Sequence, residues 1–103
     1  MMKTAFLYDP RYLLHDTGSG HPEVPERLTA IYEGIVKAGL LPKLFQVKAF
    51  PAQMKWVETV HTREYIDRFN DTCMMGRSVF DVPDNRMCVD TFDTALLAVG
   101  GYP

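Results

Sequence analysis

Residues 21–28 read His21-Pro22-Glu23-Val24-Pro25-Glu26-Arg27-Leu28, where a long irregular segment gives way to the clearest helical pattern in the chain. Pro25 suits the first helical position, where its missing N–H costs nothing and its φ is already helical. Glu26 suits the positive end of the helix dipole. From there Leu28, Ile31, Tyr32, Ile35 and Val36 recur at i, i+3, i+4, i+7 and i+8, which makes one apolar face. The spacing predicts a helix over residues 26–40, with Gly39 as its left-handed cap.

Upstream, residues 9–25 hold three of the seven prolines, two of the seven glycines and two of the three histidines. That composition predicts a loop with no regular element, and loops this long inside compact domains are usually either functional or disordered; this one carries too many special residues to be filler. Before it, Thr4-Ala5-Phe6-Leu7-Tyr8 is a short apolar run that suits a strand buried on both faces, ended by Asp9-Pro10.

Downstream, Phe45, Val47 and Ala49 alternate with Gln46 and Lys48, a strand with one wetter face. Pro51 opens a short helical stretch to Val60. Thr62 caps a further helix in which Tyr65, Ile66, Phe69 and Cys73 share a side. Periodicity is lost from Gly76 to Arg86, and Val82-Pro83-Asp84-Asn85 reads as a turn. Asp90 or Thr91 then caps a helix with Phe92, Ala95, Leu96 and Val99 on one side. The order is β-loop-α-β-α-α-loop-α, an α/β class in a single domain over residues 1–103. Two strands leave both faces and both edges of a parallel sheet to be covered, so the pattern reads as an unfinished sheet.

The 103 residues carry 47% hydrophobic and 23% charged side chains, which fits one globular domain and excludes a disordered or fibrous chain. Eleven Lys+Arg against thirteen Asp+Glu give a net charge of −2, with the basic residues scattered. Neither a nucleic-acid nor an anionic-membrane footprint is present. The start lacks a signal segment, so the expected compartment is the cytoplasm, with Cys73 and Cys88 reduced. The six methionines and the single Trp56 are expected to fill core space.

Several constellations invite chemistry. His15, Asp16, His21 and Glu23, with His61 as a distant imidazole, contain metal-donor types, yet nothing in their spacing imposes convergence at about 2 Å. Ser19 beside His15 or His21 suggests a nucleophile and base, without the elbow motif that would expose the serine. Thr17-Gly18-Ser19-Gly20 lacks the lysine of a phosphate loop. Glu23 and Arg27 lie four apart, where an ion pair would fix the loop to the helix. His61 suits a buried structural imidazole. Asp81, Asp84, Asp90 and Asp93 read as turn and cap residues.

The string from His15-Asp16-Thr17-Gly18 through residues 21–28 also resembles the N-terminal motif of the zinc-dependent histone deacetylase superfamily, closest to its class II-like and bacterial acetylpolyamine amidohydrolase branch. Val60-His61-Thr62-Arg63-Glu64-Tyr65-Ile66 and Asp90–Gly101 resemble two later family segments, in order. The resemblance implies a partial arginase/deacetylase-like three-layer α/β fold whose incomplete, mainly parallel sheet is flanked by helices. It implies an amidohydrolase acting on acetyl-lysine or acetylpolyamines with zinc-activated water. It places Tyr12, His15 and Gly20 at the substrate entrance, His21, Pro22 and Glu23 near the pocket's deep end, and Arg27 along an internal cavity beneath the metal. The family's metal ligands and its paired catalytic histidines match nothing in this chain. The expectation is therefore a truncated family member with no metal ligand, no cofactor and no catalytic residue of its own. Its partner is expected to be a second copy, as in a stand-alone oligomeric assembly module, or a C-terminal chain that completes a split enzyme.

Overall fold

The computed structural model describes residues 3–101. Strand β1 (Ala5–Leu7) pairs in parallel with β2 (Phe45–Val47), Phe6 opposite Gln46. Helix α1 (Glu26–Lys37) makes the crossover between them. Parallel strands need such a crossover, and the sequence supplies it as a loop followed by an amphipathic helix. α1 lies over the sheet through Tyr32, whose ring stacks on Tyr8 at 4.4 Å between centroids.

Helix α1 ends as its sequence predicts. Gly39 takes φ +72°, its N–H donates to Val36 O at 3.0 Å, and Leu40 N–H donates to Ile35 O at 3.1 Å. These are the two bonds of a Schellman cap, which needs a left-handed residue that glycine alone adopts without penalty.

Helix α2 (Met54–Val57), helix α3 (Arg63–Met74) and helix α4 (Thr91–Gly100) follow. Thr62 caps α3 as expected, its Oγ1 accepting from Tyr65 N–H at 3.1 Å. The α3 face turns Ile66 and Cys73 inward. Cys73 packs with Phe80 and Met87 in the buried core, with Phe69 and Phe92 against it. The Phe69 and Phe80 rings lie 4.8 Å apart, a tilted pair.

Four expectations are corrected. Residues 10–14 form a 3-10 helix inside the segment expected to hold no regular element. Pro10 fits its first position, and Asp9 caps it by accepting from Arg11 N–H at 2.8 Å. Residues 79–86, expected to be irregular, form an antiparallel pair of β3 (Val79–Phe80) and β4 (Val82–Arg86). Their tight link is Asp81, a non-glycine residue at φ +64°, whose carboxylate pairs with Arg68. The strand 4–8 is half-buried rather than covered on both faces, because its sheet has two strands and α1 covers one side. Finally, Trp56, Met74 and Met75 are exposed, and Met87 is the buried methionine among the described residues.

Helix α4 is wedged tightly at its C-terminal end. A Cβ on Gly100 would stand 1.7 Å from Phe50 O and 2.7 Å from Ala52 N, so only a residue without one lets the backbones approach. Ala52 N–H donates to Leu96 O at 2.9 Å across that contact.

Candidate functional site

The loop before α1 is held in shape by its own side chains. The Thr17 hydroxyl is buried and donates to Glu23 O, closing the loop on itself. Asp16 Oδ1 accepts from Gly18 N–H at 2.9 Å, an Asx turn. Arg86 Nε reaches over from β4 to Thr17 O at 3.4 Å.

His21 is fixed from both ring nitrogens. Its Nδ1 accepts from Glu23 N–H at 3.1 Å, which leaves the proton on Nε2. Nε2 faces Asp84 on β4, 3.3 Å from the carbonyl O and 3.5 Å from Oδ1. The imidazole is thus a strut between the loop and β4.

His15 sits in a second knot, at the start of α4. Its Nδ1 lies 2.8 Å from Thr91 Oγ1, a buried hydroxyl that also accepts from Cys88 N–H at 2.8 Å. The hydroxyl has one proton and a second lone pair for its two other neighbours, His15 Nδ1 at 2.8 Å and Cys88 Sγ at 3.5 Å, and the tautomer of His15 sets which of them receives that proton. Cys88 Sγ donates to Leu14 O at 3.1 Å and accepts from Asp16 N–H at 3.4 Å. Leu14, His15 and Asp16 are therefore joined to Cys88 and Thr91, at the start of α4, through one hydroxyl and one thiol. Glu23 Oε1 stands 3.7 Å from His15 Nε2, beyond hydrogen-bond length.

Beside this knot lies a cavity of about 220 Å³ lined by Tyr12, His15, Glu23, Arg27, Leu28 and Ile31, among others. Tyr12 OH donates to Leu97 O at 3.5 Å, a long bond, and burial pushes its phenol above the ordinary tyrosine range. The fold thus gathers Tyr12, His15, Glu23 and Arg27 around one hollow. It sends His21 the other way, toward β4. Gly20 takes φ +85° in the turn with open space around it, and Pro22 is exposed on the loop.

Other pairings read from the sequence are rearranged. Among the described residues Glu23 makes no ion pair with Arg27, and the Ser19 hydroxyl makes no hydrogen bond to an imidazole. His61 is exposed rather than buried, its ring stacked on Tyr65 at 5.0 Å. Asp84 lies within strand β4, and Asp90 precedes α4 without a side-chain cap bond. Cys73 and Cys88 are free thiols. From the sequence Thr91 read only as a candidate cap and Cys88 only as a reduced thiol. Their separation by three residues just before a helix is the pattern that would have joined them.

No three His, Cys, Asp or Glu side chains among the described residues converge as a metal site requires. The donors present come in twos: His15 with Glu23, His21 with Asp84. They do not fit the zinc that the family resemblance implies, and no chemical step is routed through it.

A crossover-linked parallel pair, a structured His-rich loop and a polar hollow beside it define an α/β protein in class, and comparison with known proteins gives the family. The Histone deacetylase domain profile matches residues 21–102, most of the chain. This chain belongs to the histone deacetylase family. It is 31% identical over 101 residues to the uncharacterized protein slr0245 of Synechocystis sp., a match covering 95% of this chain and 33% of that protein. It is 33% identical over 82 residues to Histone deacetylase 15 of Arabidopsis thaliana, covering 75% of this chain and 15% of the relative. Histone deacetylase clr3 of Schizosaccharomyces pombe is 32% identical over 86 residues, with coverage of 74% and 12%. The crystal structure of the HDA15 HD domain superposes with a TM-score of 0.85 at 31% identity, over 96% of this chain and 29% of that one. The α/β fold is thus the deacetylase fold in part, and the chain spans a third or less of the length of these relatives. No helix among the described residues is long and apolar enough to cross a membrane.

Proposed function

We propose that this chain is the pocket-edge segment of a zinc-dependent deacetylase domain acting on acetyl-lysine or acetylated polyamines, and that it has no hydrolase turnover by itself. The observation that carries this reading is the contrast within one site. Tyr12, His15, Glu23 and Arg27 line a shaped hollow, yet among the described residues metal donors approach one another only in pairs. Amide hydrolysis requires an activated water and stabilisation of the developing oxyanion. A hollow that offers a phenol, an imidazole and a guanidinium can border a substrate and hold its shape. It does not by itself polarise the amide carbonyl and the attacking water together.

Under this reading Tyr12, His15 and Glu23 border the hollow and Arg27 supplies positive charge to it, while His21 and Thr17 serve by holding the loop that carries Gly20 and Pro22. The catalytic groups belong to the remainder of the deacetylase domain. The cytoplasm is the compartment proposed, supported by two free thiols in a small domain.

The test uses the 103-residue chain, an acetyl-lysine peptide and an acetylpolyamine, with zinc supplied. No turnover above the buffer rate and no stoichiometric zinc are expected. Turnover that a chelator abolishes, with one zinc per chain, overturns the reading.

A further inference from the structure

Glu23 stands between the two histidines of the loop and meets each with a different group. Its backbone N–H donates to His21 Nδ1 at 3.1 Å. Its carboxylate Oε1 stands 3.7 Å from His15 Nε2, just outside bonding reach. Its carbonyl takes the Thr17 hydroxyl. Both imidazoles are largely enclosed, whereas the Glu23 side chain is 64% exposed and free to turn.

The two contacts respond to a proton in opposite ways. Nδ1 of His21 accepts from Glu23 only while it carries no proton. A second proton on that ring turns the acceptor into a donor, sets two N–H groups against each other and breaks the bond. Nε2–H of the same ring keeps its partners on β4, Asp84 O at 3.3 Å and Oδ1 at 3.5 Å, and the added charge strengthens the second. At His15 a proton makes a contact instead of breaking one. The charged ring has an N–H on each nitrogen. Nδ1–H donates to Thr91 Oγ1, 2.8 Å away, whose own proton turns to Cys88 Sγ at 3.5 Å. Nε2–H faces the Glu23 carboxylate, and a small turn of that exposed side chain closes the gap.

The other polar groups around the pair hold their charge. Arg27 lines the hollow with His15, Glu23 and the Tyr12 phenol. Arg86 reaches from β4 to Thr17 O, and the Asp16 carboxylate accepts from Gly18 N–H. Carboxyl groups ordinarily titrate below about pH 5, and thiols, phenols and guanidinium above about pH 8. Histidine is the side chain that changes charge between those limits.

We propose that residues 15–25 form a proton-operated latch, in which acidification releases Glu23 from His21 and delivers it to His15. The inference stands on the loop's own bonds and is independent of the pocket-edge reading. Its effect falls on the hollow of about 220 Å³, because His15 and Glu23 both line it. In the alkaline position the wall of the hollow carries an unpaired carboxylate beside a neutral ring. In the acid position it carries a closed ion pair.

The test is NMR on the 103-residue chain, labelled with 15N and 13C and titrated from about pH 8 to about pH 5. The ring nitrogens of both histidines, the Glu23 amide and the Glu23 carboxyl carbon are followed together. The Glu23 amide proton should move upfield as its bond is lost, with the same midpoint as the His21 ring. The Glu23 carboxyl should move with the His15 ring. Two variants separate the halves. His21→Asn keeps an acceptor near the Nδ1 position and cannot titrate, so the Glu23 amide should hold its bonded shift throughout. His15→Asn keeps a partner for Thr91 and removes Nε2, so the carboxyl response should vanish while the amide response stays. A Glu23 amide that does not move while His21 gains its proton overturns the proposal, as does a carboxyl that ignores the His15 ring. So does an unchanged amide response in His21→Asn. Loss of amide dispersion across the whole spectrum in this window overturns it too, because the loop then has no second folded position.

Discussion

Thr91 is the side chain on which the site's geometry converges. Its buried hydroxyl accepts from Cys88 N–H and contacts His15 Nδ1, both at 2.8 Å, so it joins the His-rich loop to the start of α4. Thr91→Val keeps the shape and removes both partners at once. A buried donor left without its acceptor costs about 1–3 kcal/mol, and each kcal/mol lowers the melting temperature of a domain this size by about 4–8 °C. A thermal melt followed by circular dichroism should show that loss, while Thr91→Ser, which keeps the hydroxyl, should lose less. An unchanged melt for the valine variant would mean that the knot is decorative. Asp9 gives a pH-dependent counterpart. Its carboxylate accepts from Arg11 Nε at 2.9 Å, Nη2 at 2.8 Å and the backbone N–H at 2.8 Å. These bonds, the guanidinium ones foremost, favour the charged form and lower its pKa from 3.8 to about 2. A carboxyl depressed on folding contributes stability that is fully present above 3.8 and is lost as the pH falls toward 2. Asp9→Asn should therefore flatten the acid limb of the stability curve in that window and leave its shape near neutrality unchanged. Carboxyl NMR titration of the parent checks the same point: a midpoint near the ordinary aspartate value would sink it.

The helices show how one substitution changes sign with its surroundings. Gly34 sits in the middle of α1 with open space around it, so Gly34→Ala should stabilise by about 0.5–1 kcal/mol through the unfolded chain's lost freedom. Gly100 also lies in a helix, but its Cβ would meet Phe50 O at 1.7 Å. Gly100→Ala must push α4 off the 50–52 segment and should cost about 1–3 kcal/mol. Urea unfolding of the two variants should move the midpoint in opposite directions. Much of this architecture was legible beforehand, because periodicity and caps are local. The helix after Pro25 with its Gly39 cap, the Thr62 cap of α3 and a strand at Phe45–Val47 stand where the sequence puts them, although Phe45, expected on the drier face of that strand, is exposed, as are Ile31 and Val36 of the α1 face. The β3–β4 pair was not legible, since Pro83, Asp84 and Asn85 carry turn chemistry and become strand only through pairing with Val79 and Phe80. The outward Trp56 and His61 were not legible either, because exposure depends on what covers α2 and α3, which no local pattern records. At the site, the family string located the loop. The partnership of His15 with Thr91, 76 residues away in sequence, comes from the fold alone.

At the scale of the whole molecule, the chain is a thin slab of 43 × 34 × 17 Å that exposes 7620 Å², with two kinds of apolar side chain that composition cannot tell apart. An unfolded chain of this mass exposes about 17,000 Å², so the slab removes roughly 55% of it where a compact domain of the size removes something over 60%. The stability that remains should sit at the low end of the usual range, about 5 kcal/mol. It should therefore be very sensitive to the few residues that are truly enclosed. Leu97 is one, 5% exposed between α4 and the 3-10 helix at Pro10–Leu14, where its carbonyl also receives Tyr12 OH. Leu97→Ala should cost about 2–5 kcal/mol, enough to leave a large share of the isolated chain unfolded at 25 °C. Val60, 77% exposed, is the opposite case. Val60→Lys should change the stability of the isolated chain by no more than about 0.5 kcal/mol. It should also raise the chain's solubility limit and weaken its binding of an apolar dye, because it breaks the patch without touching the core. The pair is read by urea midpoint and dye fluorescence on the same preparations. If Val60→Lys destabilised the isolated chain as much as Leu97→Ala, the α2–α3–α4 face would belong to its own core, and the distinction between the slab's enclosed and exposed apolar side chains would fall.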